Sequence, residues 1–122
     1  MYKYFNPNPA GKNVGDCVIR AICKLTGQDW DKVYLHIAIT GFELCDMPSS
    51  NAVWATYLKR LGYRRYVIPD KCPDCYSVKQ FCIDYPRGKF LIATGNHVVT
   101  IVDGDYYDAW DSGTEIPIYF WT

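Results

Sequence analysis

An α+β fold follows from the order of patterns along the chain. Helical spacing of apolar residues dominates up to residue 84, and short β-branched and aromatic runs dominate after Gly88. Asp103-Gly104 is a strong hairpin signal between two of those runs, which makes them antiparallel neighbours. A single domain spanning 1–122 is expected, because 122 residues that are 49% hydrophobic and 16% aromatic can build one core.

Residues 1–15, rich in Pro, Asn and Gly and without periodicity, read as an irregular arm. A first helix begins at Asp16 or Cys17, with Asp16 suited to the N-cap. Val18, Ile19, Ile22 and Leu25 form its stripe, and Gly27 ends it. The second helix covers residues 29–40, buries Trp30, Val33, Tyr34 and Ile37, and is stopped by Gly41. The third starts near Ser49-Ser50, carries Val53, Trp54, Tyr57, Leu58 and Leu61, and closes at Gly62. A short strand follows over 64–68, then a Cys-Pro-Asp-Cys turn within 71–76 and a brief helix over 77–84, halted before Pro86. Strands are predicted over 89–94, 97–102, 106–110 and 116–121.

Composition narrows the function classes. Thirteen basic residues balance thirteen acidic ones and are scattered, so nucleic acid and anionic membrane are not expected partners. The first residues contain no apolar secretory core, and no apolar run is long enough to span a bilayer. The expected location is therefore cytoplasmic, where the six cysteines default to free thiols. Cys72 and Cys75 are candidates for zinc, a disulfide or a redox pair. A zinc site needs two further ligands, for which Cys45 and Cys82 are available but not in a second Cys-x-x-Cys pair. No cofactor is called for.

Cys17 stands where a nucleophile would be activated. A helix N-terminus favours a thiolate, and Gly15 leaves room for a substrate in front of it. Of the two histidines, His36 looks like an ordinary helix residue. His97 follows Thr94-Gly95-Asn96 and opens an apolar strand, where it can face a pocket. With Asp103-Gly104 as a two-residue turn, Val102 pairs with Asp105, Ile101 with Tyr106, Val99 with Asp108 and His97 with Trp110. Asp108 then shares a sheet face with His97 as its diagonal neighbour, and Asp111 falls on the opposite face. A carboxylate at Asp108 could orient the imidazole, completing a Cys17, His97, Asp108 set. Arg20, one turn after Cys17, reads as a partner for an acidic neighbour.

Gly15-Asp16-Cys17-Val18-Ile19-Arg20-Ala21-Ile22 resembles the nucleophile helix of papain-like cysteine peptidases. It is especially similar to the Cys-x-x-Arg-Ala signature of ovarian-tumour-type deubiquitinases and small bacterial and phage peptidases. The block from Asn96 to Gly104, followed by Tyr107-Asp108, resembles the His and Asp half of the same clan, in the same chain order. The resemblance implies a papain-like fold and a thiol hydrolase acting on a peptide or protein substrate through an acyl-enzyme. It departs from the pattern at two positions: Gly11 stands where many papain-like enzymes have the oxyanion glutamine, and Val14 where the deubiquitinases have an aspartate. Asn13 is the nearest amide donor and is the candidate oxyanion residue, beside the Cys17 backbone N–H. An amidase or acyltransferase would use the same triad, and a catalytically silent papain-like module that binds or inhibits is the reading from a different class.

Overall fold

The computed structural model describes residues 1–69 and 76–122, and in it four helices accompany one six-stranded mixed sheet. The elements are β1 (Tyr2–Tyr4), α1 (Cys17–Thr26), α2 (Trp30–Glu43), α3 (Asn51–Arg60), β2 (Arg65–Val67), α4 (Val78–Asp84), β3 (Lys89–Ala93), β4 (Val98–Val102), β5 (Asp105–Asp108) and β6 (Tyr119–Trp121). Across the sheet the order is β1-β5-β4-β3-β6-β2, with every pair antiparallel except β1 with β5. The α+β class expected from the sequence is the class observed.

Side-chain alternation along the central strands feeds two cores. Leu91, Ala93, Val98 and Trp121 pack with Ile22, Leu25, Val33, Trp54 and Leu58 of α1, α2 and α3. Ile92, Val99, Ile101 and Tyr106 pack with Val78, Phe81 and Cys82 of α4. The α1 helix lies on β4, where the buried Thr100 hydroxyl donates to the Ala21 carbonyl at 2.6 Å. Gly27, at φ 76°, ends α1 by returning its N–H to the Cys23 carbonyl, as a left-handed C-cap does.

Six expectations change. The arm is not wholly irregular: Tyr2–Tyr4 pairs in parallel with Tyr106, Tyr107 and Asp108, an edge strand created by its neighbour and not by its own pattern. Gly41 does not stop the second helix, which runs on to Glu43. Its role is close approach, since a Cβ there would lie 2.9 Å from the Asp46 carbonyl and 3.3 Å from the Pro48 nitrogen. Tyr34 is exposed and stacks on Trp30 instead of joining the buried stripe, and Leu61 is exposed as the C-cap of α3. The strand predicted over 106–110 ends at Asp108, and that over 116–121 is confined to Tyr119–Trp121. The turn containing Cys72 and Cys75 lies outside the described residues, so the expectation attached to it is not addressed. Among the described residues, no helix is long and apolar enough to cross a membrane.

Candidate active site

The site forms where the N-terminus of α1 meets the end of the sheet. Cys17 is the first residue of α1 and half-buried, His97 immediately precedes β4, and Asp108 is the last residue of β5. Between β4 and β5 the register pairs Val102 with Asp105, Ile101 with Tyr106 and Thr100 with Tyr107 around a turn in which Asp103 and Gly104 both take positive φ. Continued by one pair, that register sets Asp108 across from Val99, beside His97. The two side chains meet with His97 Nε2 2.6 Å from Asp108 Oδ2.

Asp108 is fully buried and heavily bonded. Its Oδ1 accepts from Arg20 Nε at 3.1 Å, from Arg20 Nη2 at 2.9 Å and from the Ala109 amide at 2.8 Å. Its Oδ2 takes the Ser112 hydroxyl at 2.6 Å in addition to His97. Its backbone carbonyl accepts the Phe5 amide at 2.8 Å and the Tyr2 hydroxyl at 3.2 Å, so β1 braces it from the far side. Burial works against the carboxylate's charge, but the bonds from His97 and Ser112 and the charges of His97 and Arg20 outweigh it and hold the pKa below the ordinary aspartate value. An ionised Asp108 can only accept, so the His97 proton sits on Nε2 and Nδ1 is left for the thiol.

His97 is buried, which disfavours its charged form; hydrogen bonding to Asp108 and Cys17 overcomes this and raises its pKa to about 9. For Cys17 burial again pushes upward. The His97 ring, the Val98 amide and the Arg20 charge prevail, and the thiol is lowered. Trp110 lies against the His97 ring, with centroids 4.7 Å apart, and is itself half in solvent. Two hollows of 630 and 390 Å³ mark the surface elsewhere, and neither includes Cys17 or His97. The side in front of Cys17 is open: residues 11–15 are exposed, and a Cβ on Gly15 would meet nothing within 4 Å.

Asp111 lies outside this group, for a different reason from the one expected. The strand has ended before it, so alternation does not carry that far, and the following turn puts its carboxylate on the Tyr106 hydroxyl and the Gly113 amide. Asn13 is exposed and makes no side-chain hydrogen bond among the described residues. Asp16 occupies the N-cap position but does not cap. Its Oδ1 binds Arg20 Nη1 at 2.7 Å and its Oδ2 accepts from Trp30 Nε1 at 2.8 Å. The first helical backbone bond of α1 runs from the Arg20 amide to the Asp16 carbonyl, so the amides of Cys17, Val18 and Ile19 precede the helical ladder. His36 bonds the Tyr57 hydroxyl through Nδ1 at 3.1 Å, away from the site.

Sequence reasoning missed Ser112, for which no local signal exists. It also missed the double engagement of Arg20, although the Asp16 to Arg20 spacing of four along one helix pointed to half of it. Among the described residues, no three His, Cys, Asp or Glu side chains converge as a metal site would require. No protein-family model, no curated protein and no solved structure matches the chain.

Proposed function

We propose that the chain is a thiol hydrolase of peptide or isopeptide bonds with a papain-like arrangement, in which Cys17 is the nucleophile, His97 the base and Asp108 the orienting acid. One observation carries this reading: a lowered thiol at a helix start, in interaction with an imidazole whose other nitrogen is held by a buried carboxylate. His97 Nδ1 takes the Cys17 proton and the thiolate attacks the scissile carbonyl. The resulting imidazolium returns the proton to the departing amine, leaving a thioester. Water, deprotonated by His97, then attacks the thioester and releases the acid and the free thiol. Negative charge on the tetrahedral oxygen falls to the Cys17 backbone N–H and to Asn13, whose exposed side chain is free to turn toward it. A peptide or protein substrate approaches over the open 11–15 loop, and no metal or cofactor takes part in these steps.

Iodoacetamide labelling followed residue by residue tests the reading. Cys17 should react faster than the exposed Cys45, and His97→Ala should abolish that advantage. Equal rates at Cys17 and Cys45 in the unmutated protein would overturn it. An acyltransferase or amidase would pass the labelling test and be separated by supplying a competing amine nucleophile. The silent binding module, favoured by Gly11 in place of a glutamine, would fail it.

A further inference from the structure

Arg20 is 4% exposed and, among the described residues, is the one cation that touches both Asp16 and Asp108, reaching Asp16 with Nη1 and Asp108 with Nε and Nη2. We infer that Arg20 is a positioning residue of the Cys17 site, holding Asp16 off the first-turn amides of α1 while it fixes Asp108 behind His97. The inference rests on the hydrolase reading.

An aspartate at an N-cap ordinarily accepts from the amide two or three residues on. Were Asp16 to do so, a full negative charge would lie among the amides that the thiolate and the tetrahedral oxygen need. Instead both of its oxygens are taken, one by Arg20 and one by Trp30, and no capping bond forms. At the other carboxylate, Arg20 and the Ala109 amide occupy Oδ1, which leaves Oδ2 for His97 and Ser112. A planar guanidinium can serve two carboxylates from fixed directions, and neither lysine nor a neutral amide can.

The charged groups acting on Cys17 are Arg20, from its own helix, and His97, before β4, whose Nε2 meets Asp108 of β5. Asp16, with Asp29 and Asp31 at the start of α2, acts on Cys23. The pH dependence of Cys17 labelling should therefore report Arg20, with the sign set by its positive charge, which favours the thiolate.

The test compares the unmutated chain with Arg20→Gln, Arg20→Lys and the double variant Asp16→Asn/Arg20→Gln. It measures iodoacetamide labelling of Cys17 against pH, with Cys45 as reference, and peptide hydrolysis. Arg20→Gln should move the Cys17 midpoint up by about one pH unit, a roughly tenfold loss of thiolate below it, and lower kcat with little change in KM. Arg20→Lys should recover part of the shift. If the single variants do not fold, the double variant, which removes a carboxylate with the cation, keeps the test: its Cys17 midpoint should still rise, by less than in Arg20→Gln, because the hold on Asp108 is lost while the Asp16 charge is gone. A folded variant with an unmoved midpoint and kcat would overturn the inference, as would failure of all three to fold, which assigns Arg20 to stability alone. Labelling of the unmutated Cys17 no faster than Cys45 would instead strike the hydrolase reading.

Discussion

Cys17 and Cys23 belong to the same ten-residue helix, yet their surroundings push the two thiols in opposite directions. Cys23 is 3% exposed in the apolar core. Burial, and then the carboxylates of Asp16, Asp29 and Asp31, push it up to about 12. Cys17 also pays a burial penalty, but it sits at the helix start with His97, the Val98 amide and Arg20 around it, and it is lowered. Membership of a helix therefore says little about a cysteine. What decides is which end of the helix it occupies and which groups the sheet delivers there.

That contrast can be broken at several points. The largest effects belong to the nucleophile and its base. Cys17→Ala should remove hydrolysis, and His97→Ala should reduce it by about 10²–10⁴-fold, both read from steady-state assays on a peptide substrate. Cys23→Ala should leave the same assay unchanged.

Next comes Asp108→Ala. Taking away one partner of a buried ion pair leaves Arg20 with a single carboxylate, and urea unfolding should show a loss of about 3–5 kcal/mol. Asp108→Asn tests orientation separately, because its amide can donate where the carboxylate only accepts and so disfavours the productive imidazole tautomer. Asp111→Asn is the control, and its hydrolysis rate should stay within about twofold.

A pH series sharpens the comparison further. Thiolate paired with imidazolium is required, so kcat/KM should rise at a pH below the ordinary thiol value and fall through about 9, the raised value of His97. Stability should follow the same signs. The folded His97 value lies above its ordinary 6.5, so its contribution is complete below 6.5 and is lost as pH climbs through about 9. Cys17 is shifted downward, so its contribution is present above the ordinary thiol value and is lost as pH falls through the lowered one. The two contributions oppose each other between pH 6.5 and 9, so urea midpoints there should change little in the unmutated chain and decline in Cys17→Ala, where only the His97 contribution remains.

The smallest effect is expected at Cys23. Its replacement by alanine should cost about 1 kcal/mol of stability from lost packing, detectable by thermal melting. Its thiol should label only when the chain unfolds.

Legibility from the sequence varied with the range of the interaction. The start of α1, its end at Gly27, the Asp103-Gly104 turn and the pairing of β4 with β5 are set by contacts a few residues apart, and all were readable. Gly41 misled because a glycine kept for the close approach of residues 46–48 looks the same as one that ends a helix. The strand β1 was invisible because its three residues pair only with β5, roughly a hundred positions away. At the site, the neighbourhood of His97 and Asp108 came from a turn and a register. The carboxylate's other partners, Arg20 and Ser112, did not, since no local pattern couples a helix face to a loop after a strand.

By itself, then, the sequence determined the α+β class, Cys17 at a helix start and the hairpin that sets Asp108 beside His97. These follow from helical and strand periods and from a turn that requires positive φ at two residues. Only the tertiary structure decided that α1 lies on β4 with its N-terminus at the sheet's end, and that Asp16 turns from its expected cap toward Arg20 and Trp30. The reason is physical: a buried carboxylate goes to whichever donors satisfy it best, and those donors are assembled only when distant segments pack together.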